Sequence, residues 1–117
     1  MTGSRSYHAG LAAEDSVAQH YLRSGCVICA RRWRGEGGEI DLIARDGDTV
    51  IFIEVKQSKT HALAAEHLTP RQMARIYAAA TEFLGGEPEG QNTSVQIHVA
   101  LVDAYGQIEI LENAFLG

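Results

Sequence analysis

Gly38–Lys56 reads GEIDLIARDGDTVIFIEVK, two β-branched apolar runs that nevertheless carry Glu39, Asp41, Glu54 and Lys56. Asp46-Gly47-Asp48 lies between the runs, and an Asp-Gly turn between such segments is a strong hairpin signal. The pattern predicts strands over about Glu39–Arg45 and Thr49–Gln57. Side chains alternate along a strand, so Glu39, Asp41, Ile43 and Arg45 share one face, and Phe52, Glu54 and Lys56 share one face of its partner. A two-residue Asp46-Gly47 turn sets Asp41 opposite Phe52 and diagonal to Glu54, whereas a four-residue loop sets Asp41 opposite Glu54. Both registers gather Asp41, Glu54 and Lys56 in one patch. The other face, Ile40, Leu42 and Ala44 with Ile51, Ile53 and Val55, is wholly apolar and is expected to be core.

Charges within such a hairpin are costly unless paired, hydrated or coordinating an ion. Two carboxylates side by side on neighbouring strands destabilise a sheet unless a cation lies between them. Hard divalent ions favour one or two carboxylates completed by water and substrate phosphate. Lys56 would stand beside such an ion, placed to orient or deprotonate an attacking water. The competing reading is a solvated strand face with cross-strand ion pairs, and a Glu-x-Lys triplet alone does not exclude it.

Outward from the hairpin, Tyr7–Ser24 reads as a helix, with Leu11, Ala18, Tyr21 and Leu22 at helical spacing and Gly25 as its stop. Glu14 falls on that apolar stripe. Cys26 to about Arg32 is a predicted strand, and RRWRGEGG a flexible, basic corner after it. Ser58–Leu68 has no pattern that assigns it a structure. Thr69-Pro70 starts a helix as N-cap and N1, with Met73, Ile76, Tyr77, Ala80, Phe83 and Leu84 as its apolar face and Gly85-Gly86 as its end. Ser94–Val102 and Gln107–Leu111 are predicted strands. The order α-β-β-β-α-β-β implies an α/β fold, a mixed sheet flanked by helices.

A chain of 117 residues is expected to form one domain, residues 1–117, with a core of its own. No run of about 20 apolar residues is present, and the first residues lack a signal-peptide core, so a cytoplasmic protein without a membrane span is expected. Cys26 and Cys29 form a CVIC spacing on a strand, which points the thiols to opposite faces and favours neither zinc nor redox chemistry. A net charge of −5 argues against a large nonspecific nucleic-acid surface, although Arg31, Arg32 and Arg34 around Trp33 form a local basic cluster. Trp33 itself reads better as a core or edge aromatic than as a base-stacking platform. The five histidines show no metal spacing and are mostly expected at the surface.

The central 19 residues resemble the signature of the YraN-like family, small bacterial proteins grouped with the PD-(D/E)xK nuclease superfamily, and are similar to the core of archaeal Holliday-junction resolvases. GLAAEDSVAQHYL, LTPRQMARIYAAATEFL and ILENAF extend the resemblance over nearly the whole chain. The resemblance implies a restriction-endonuclease-like core with a phosphodiesterase site using Mg²⁺ or Mn²⁺. By position it makes Asp41 and Glu54 metal ligands and Lys56 the catalytic lysine. It adds the Val55 carbonyl to the metal site, and Glu14 as a first-helix carboxylate that helps hold the ion. Gln57 stands where the family usually has Arg, Gln72 where Lys is common, and Gln96 and His98 where Arg and Asp are typical. These replacements remove charge from the phosphate contacts, with Arg31, Arg32, Arg34, Gln57 and Gln72 left as candidate nucleic-acid contacts. Resolvase-like proteins act as dimers, so the resemblance allows a homodimer.

Two functions follow from different classes. The first is a metal-dependent endonuclease acting on DNA, structure-specific in repair or recombination. The alternative is a weak or inactive nuclease-fold module that binds nucleic acid or a protein partner. A metal-free structural protein would instead show Glu54 and Lys56 exposed and collapsed into a simple ion pair.

Overall fold

The computed structural model describes residues 2–112, with side chains from Gly10 onward. Five strands form one sheet in the spatial order of the sequence: β1 (Val27–Arg34), β2 (Glu39–Asp46), β3 (Thr49–Gln57), β4 (Val95–Val102) and β5 (Ile108–Glu112). Neighbours pair antiparallel except β3 and β4, which are parallel. A parallel pair needs a crossover, and the chain supplies it as two helices, α2 (His61–Glu66) and α3 (Pro70–Leu84). The first helix, α1 (Thr2–Arg23), precedes the sheet. This is the expected mixed sheet flanked by helices, with α2 as the piece that the sequence pattern does not reveal. Asn113–Phe115 of the ILENAF segment lie outside the described residues.

Both faces of the sheet are covered, so the central strands are buried on both sides. Val50, Ile51, Phe52 and Ile53 of β3 form the continuous apolar run that such a position requires. On one face Ala13, Val17, Ala18 and Tyr21 of α1 pack on Leu42, Ala44, Ile51, Ile53, Ala100 and Val102. On the other Ile76, Ala79, Ala80 and Leu84 of α3 pack on Ile40, Ile43, Val50, Phe52 and Ile97. The α1 stripe is centred differently from the expected one: Val17 and Ala13 are buried, while Leu22 remains 43% exposed near the helix end.

Two corrections concern the hairpin and its neighbour. Asp46 pairs with Thr49, so the turn is Gly47-Asp48, with Gly47 at φ 60, where a Cβ would be strained. The turn has two residues, but the register is the one expected of the longer loop; the ladder runs to Leu42–Ile53, and its next step would set Asp41 against Glu54. The face assignments also shift. Ile40 packs with Ile43 on the α3 side rather than with Leu42 under α1, so strict alternation slips at Asp41. On β1 the same slip occurs: Ala30 and Trp33, three apart, both lie against the α3-side cluster. Between them Arg32 takes φ 50, the left-handed region that residues with a side chain seldom adopt.

The arginines expected in a flexible corner belong to β1 instead, and the corner shrinks to Gly35–Gly38. It is held tightly. Gly35 N–H donates to the Gly38 carbonyl at 2.9 Å, and Glu82 of α3 accepts from the N–H groups of Glu36 at 2.8 Å and Gly37 at 2.7 Å. A Cβ at Gly37 would lie 2.7 Å from the Ala78 Cβ, and one at Gly38 2.9 Å from the Arg75 carbonyl oxygen, so only glycine lets the corner approach the helix this closely. Trp33 packs edge-on against Phe83 with ring centroids 5.5 Å apart, a core-edge aromatic as the sequence suggests.

Candidate metal-binding site

β2 and β3 part company beyond the Leu42–Ile53 pair, and Asp41 fills the gap. Its Oδ2 accepts the Val55 N–H at 2.8 Å, a backbone donor that the ladder with β2 no longer satisfies. Glu54 points to the α3 face and is only 7% exposed. The first turn of α3 lies over it: Thr69 caps the helix by accepting the Gln72 N–H, and the Gln72 side-chain amide approaches Glu54 Oε1 at 3.4 Å. Lys56, one alternation further along β3, brings its Nζ to 3.8 Å from the same oxygen. Glu39, Asp41, Glu54, Gln72, Arg75 and Ile76 line an open cleft of about 330 Å³.

The electrostatics are those of carboxylates short of positive charge. Glu54's carboxyl is pushed up to about 9, first by burial, then by the charge of Asp41 and a hydrogen bond with it; Lys56 opposes the shift but does not reverse it. Glu14 on α1 is raised as well, chiefly by burial, with Asp41's charge adding to the effect and Arg32's hydrogen bond working against it. Burial and the nearby charge of Asp41 thus hold the Glu54 carboxyl well above the ordinary carboxylate range.

Asp41, Glu54, Lys56 and Gln72 are thus brought together, with Val55 joined to Asp41 through its N–H. Glu14 is electrostatically coupled to Asp41 while its side chain is engaged by Arg32 at 3.2 Å. Arg34 pairs with Glu39 at 3.0 Å on the cleft's border, and Arg31 pairs with Asp15 of α1 at 2.6 Å, away from the cleft lining. Gln57 is exposed at the end of β3 and does not line the cleft. Arg75 and Glu39 complete the lining without having been singled out as site residues. Arg75 was legible in principle, since Gln72, Arg75 and Ile76 stand at the i, i+3, i+4 spacing of one helix face.

His98, which stands where the family typically has Asp, is buried. Its Nδ1 lies 2.7 Å from the Tyr21 hydroxyl and its Nε2 2.8 Å from Gln96 Oε1. An amide oxygen only accepts, so Nε2 carries the proton and Nδ1 accepts from Tyr21. Burial lowers the His98 pKa and raises that of Tyr21, keeping both neutral. This pair ties α1 to β4 and does not line the cleft. Cys26 is buried just before β1 and Cys29 is exposed at the β1 register shift, both as free thiols.

The family model of the uncharacterised protein family UPF0102 matches residues 13–106, which includes every residue of the cleft. The chain belongs to UPF0102. A UPF0102 protein of Cereibacter sphaeroides is 64% identical over 115 residues, covering 98% of each chain. One from Ruegeria pomeroyi is 58% identical over 113 residues, covering 97% of this chain and 92% of its own. A UPF0102 protein of Dinoroseobacter shibae is 40% identical over 111 residues, covering 95% and 83% respectively. The family description states no activity.

Among the described residues no set of three or more His, Cys, Asp and Glu side chains forms a ready-made metal cage, and no helix is long and apolar enough to cross a membrane. The carboxylate pair nevertheless suits a hard divalent ion, because Mg²⁺ is commonly held by one or two carboxylates and completes its shell with water and phosphate oxygens.

Proposed function

We propose that this UPF0102 protein is a Mg²⁺- or Mn²⁺-dependent phosphodiesterase of the PD-(D/E)xK type acting on DNA, as its resemblance to YraN-like proteins and Holliday-junction resolvases implies. The observation that carries the reading is the buried Glu54 carboxylate beside the half-buried Asp41, with Lys56 at its side. Burying a carboxylate beside another carboxylate is a poor way to stabilise a sheet, and it makes sense as a cation site. The structural alternative called for Glu54 and Lys56 to be exposed and collapsed into a simple ion pair; they do pair at 3.8 Å, but their side chains are only 8% and 16% exposed.

Asp41 and Glu54 would hold the ion, with Glu14 and the Val55 carbonyl completing or steadying its shell. The ion would polarise the phosphate, acidify a bound water and offset charge on the leaving oxygen. Lys56 would orient that water through its ammonium N–H donors, and the water's proton would pass to bulk solvent as the new P–O bond forms and the bridging P–O bond breaks, the departing oxygen being protonated by solvent. Gln72 and Arg75 on α3, with Arg31, Arg32 and Arg34 on β1 and Gln57 at the end of β3, would contact nucleic-acid phosphates. Gln72 can donate a hydrogen bond there but brings no charge, so its contact is weaker than a lysine's.

One observation favours the second reading, a nuclease-fold binding module of low turnover: Arg31, Arg32 and Arg34 are each engaged by a carboxylate, on a chain of net charge −5. Cleavage separates the two. Labelled branched, flapped, single-stranded and duplex DNA should be cut with Mg²⁺ or Mn²⁺, with Lys56→Ala slowed by about 10²-fold or more and Asp41→Ala inactive. Intact DNA under all conditions, or equal cutting by the variants, rejects the nuclease.

A further inference from the structure

We propose that Arg71 and Arg75 on α3 form a two-phosphate subsite beside the cleft, taking successive phosphates of one nucleic-acid strand whose next phosphate reaches Asp41 and Glu54. The inference rests on the reading of that carboxylate pair as the phosphodiester site and adds which part of the substrate is gripped beside it.

Arg75 lines the cleft together with Glu39, Asp41, Glu54 and Gln72. The β1–β2 corner fixes its place: a Cβ on Gly38 would lie 3.1 Å from the Arg75 Cβ, so this turn of the helix is held against the start of β2. Arg71 stands one turn nearer the beginning of α3, on the same flank. Residues four apart on a helix are surface neighbours, with a rise of roughly 6 Å between them. That rise is comparable with the step between successive phosphates of one strand.

By itself the pair costs α3 stability. Like charges four apart on a helix repel one another. A cation in the first turn also meets the positive end of the helix dipole, which acids ordinarily offset, and α3 has no acid in its first turn. Both arginines are exposed, and among the described residues neither is paired with a carboxylate. The β1 arginines differ, because Arg31, Arg32 and Arg34 each have a carboxylate partner. An anionic ligand supplies what α3 lacks. A guanidinium presents a fork of N–H donors that matches phosphate oxygens, and two of them in line match a polyanion better than a single small ion.

The test is fluorescence anisotropy of a labelled single-stranded oligothymidylate titrated with the full chain in EDTA over a range of salt concentrations. EDTA keeps the strand uncut and separates the subsite from the cation. Arg71→Gln and Arg75→Gln each remove one charge and keep a good helix former. Each should weaken binding about fivefold and lower the slope of log Kd against log salt by about 0.7, the share of one phosphate contact on a single strand. Arg23→Gln makes the same charge change on α1, on the other face of the sheet, and should leave both quantities unchanged. No binding by the wild type, or an equal loss in Arg23→Gln, overturns the subsite. Mn²⁺ is then added to read the cleft. Cutting by the wild type with an unaltered KM in both α3 variants also overturns the subsite, while leaving the chemistry of the cleft standing. The expected binding losses with no cutting by any form instead remove the phosphodiester reading, and the strand's continuation into the cleft with it.

Discussion

The Glu54 carboxyl is pushed up to about 9 in the fold, mainly because it is buried and secondarily because Asp41 faces it, whereas in the unfolded chain it ionises near its ordinary value of 4.5. The raised value favours the folded state fully below pH 4.5, and that advantage is lost as pH rises toward 9. Glu54→Gln escapes the loss. It should match the wild type in thermal stability near pH 4.5 and exceed it by at least about 1 kcal/mol at pH 8, as read from melting curves across that range. A difference that grows toward acid pH would contradict the burial argument. Tyr21 makes a second prediction at this scale. Tyr21→Phe leaves the buried Nδ1 of His98 without its donor and should cost about 1–3 kcal/mol at pH 7, measurable by urea unfolding. The acids and the lysine of the cleft were legible as residues in the sequence because charge inside an apolar hairpin is conspicuous. The His98–Tyr21 pair was not, because 77 residues separate its members and nothing local marks either as buried.

Among the elements, α3 does two jobs that its sequence shows only in part. Its apolar face and its Thr69-Pro70 start are explicit, and both stand in the structure. Its grip on the β1–β2 corner is not, because it depends on Glu82 meeting two backbone N–H groups 45 and 46 residues away. That grip fixes the helix against β2 and so holds Gln72 and Arg75 over Asp41. Glu82→Ala leaves the N–H groups of Glu36 and Gly37 to water and should cost about 1–3 kcal/mol by chemical denaturation. Gly37→Ala forces a methyl against Ala78 and should cost a similar amount by overpacking. If either variant is as stable as the wild type, the corner is not held in the way described. The hairpin register shows the same division. The parity that gathers Asp41 with Glu54 follows from alternation, but the choice of turn and the slip at Asp41 depend on packing against both helices.

At the scale of the whole molecule, the sheet separates its two ends by function. Between α1 and α3 the central strands are apolar on both faces. Where β2 and β3 diverge, the same strands present carboxylates to the open cleft under the start of α3. The order of elements and the mixed sheet were readable from the sequence because each long segment has one clear period. The short α2 was not, since an Ala-rich stretch of six residues carries too little pattern and is held by the Thr60 cap and by Ala64 packing on Val99 and Leu101. The central claim is that the Asp41–Glu54 pair exists to hold a hard divalent cation. Its most direct test is anomalous diffraction from crystals grown with Mn²⁺. A peak bound by carboxylate oxygens of both Asp41 and Glu54, at about the 2.0–2.2 Å expected of a hard divalent ion, is the predicted result. A map with no anomalous density between them at millimolar Mn²⁺ would contradict it.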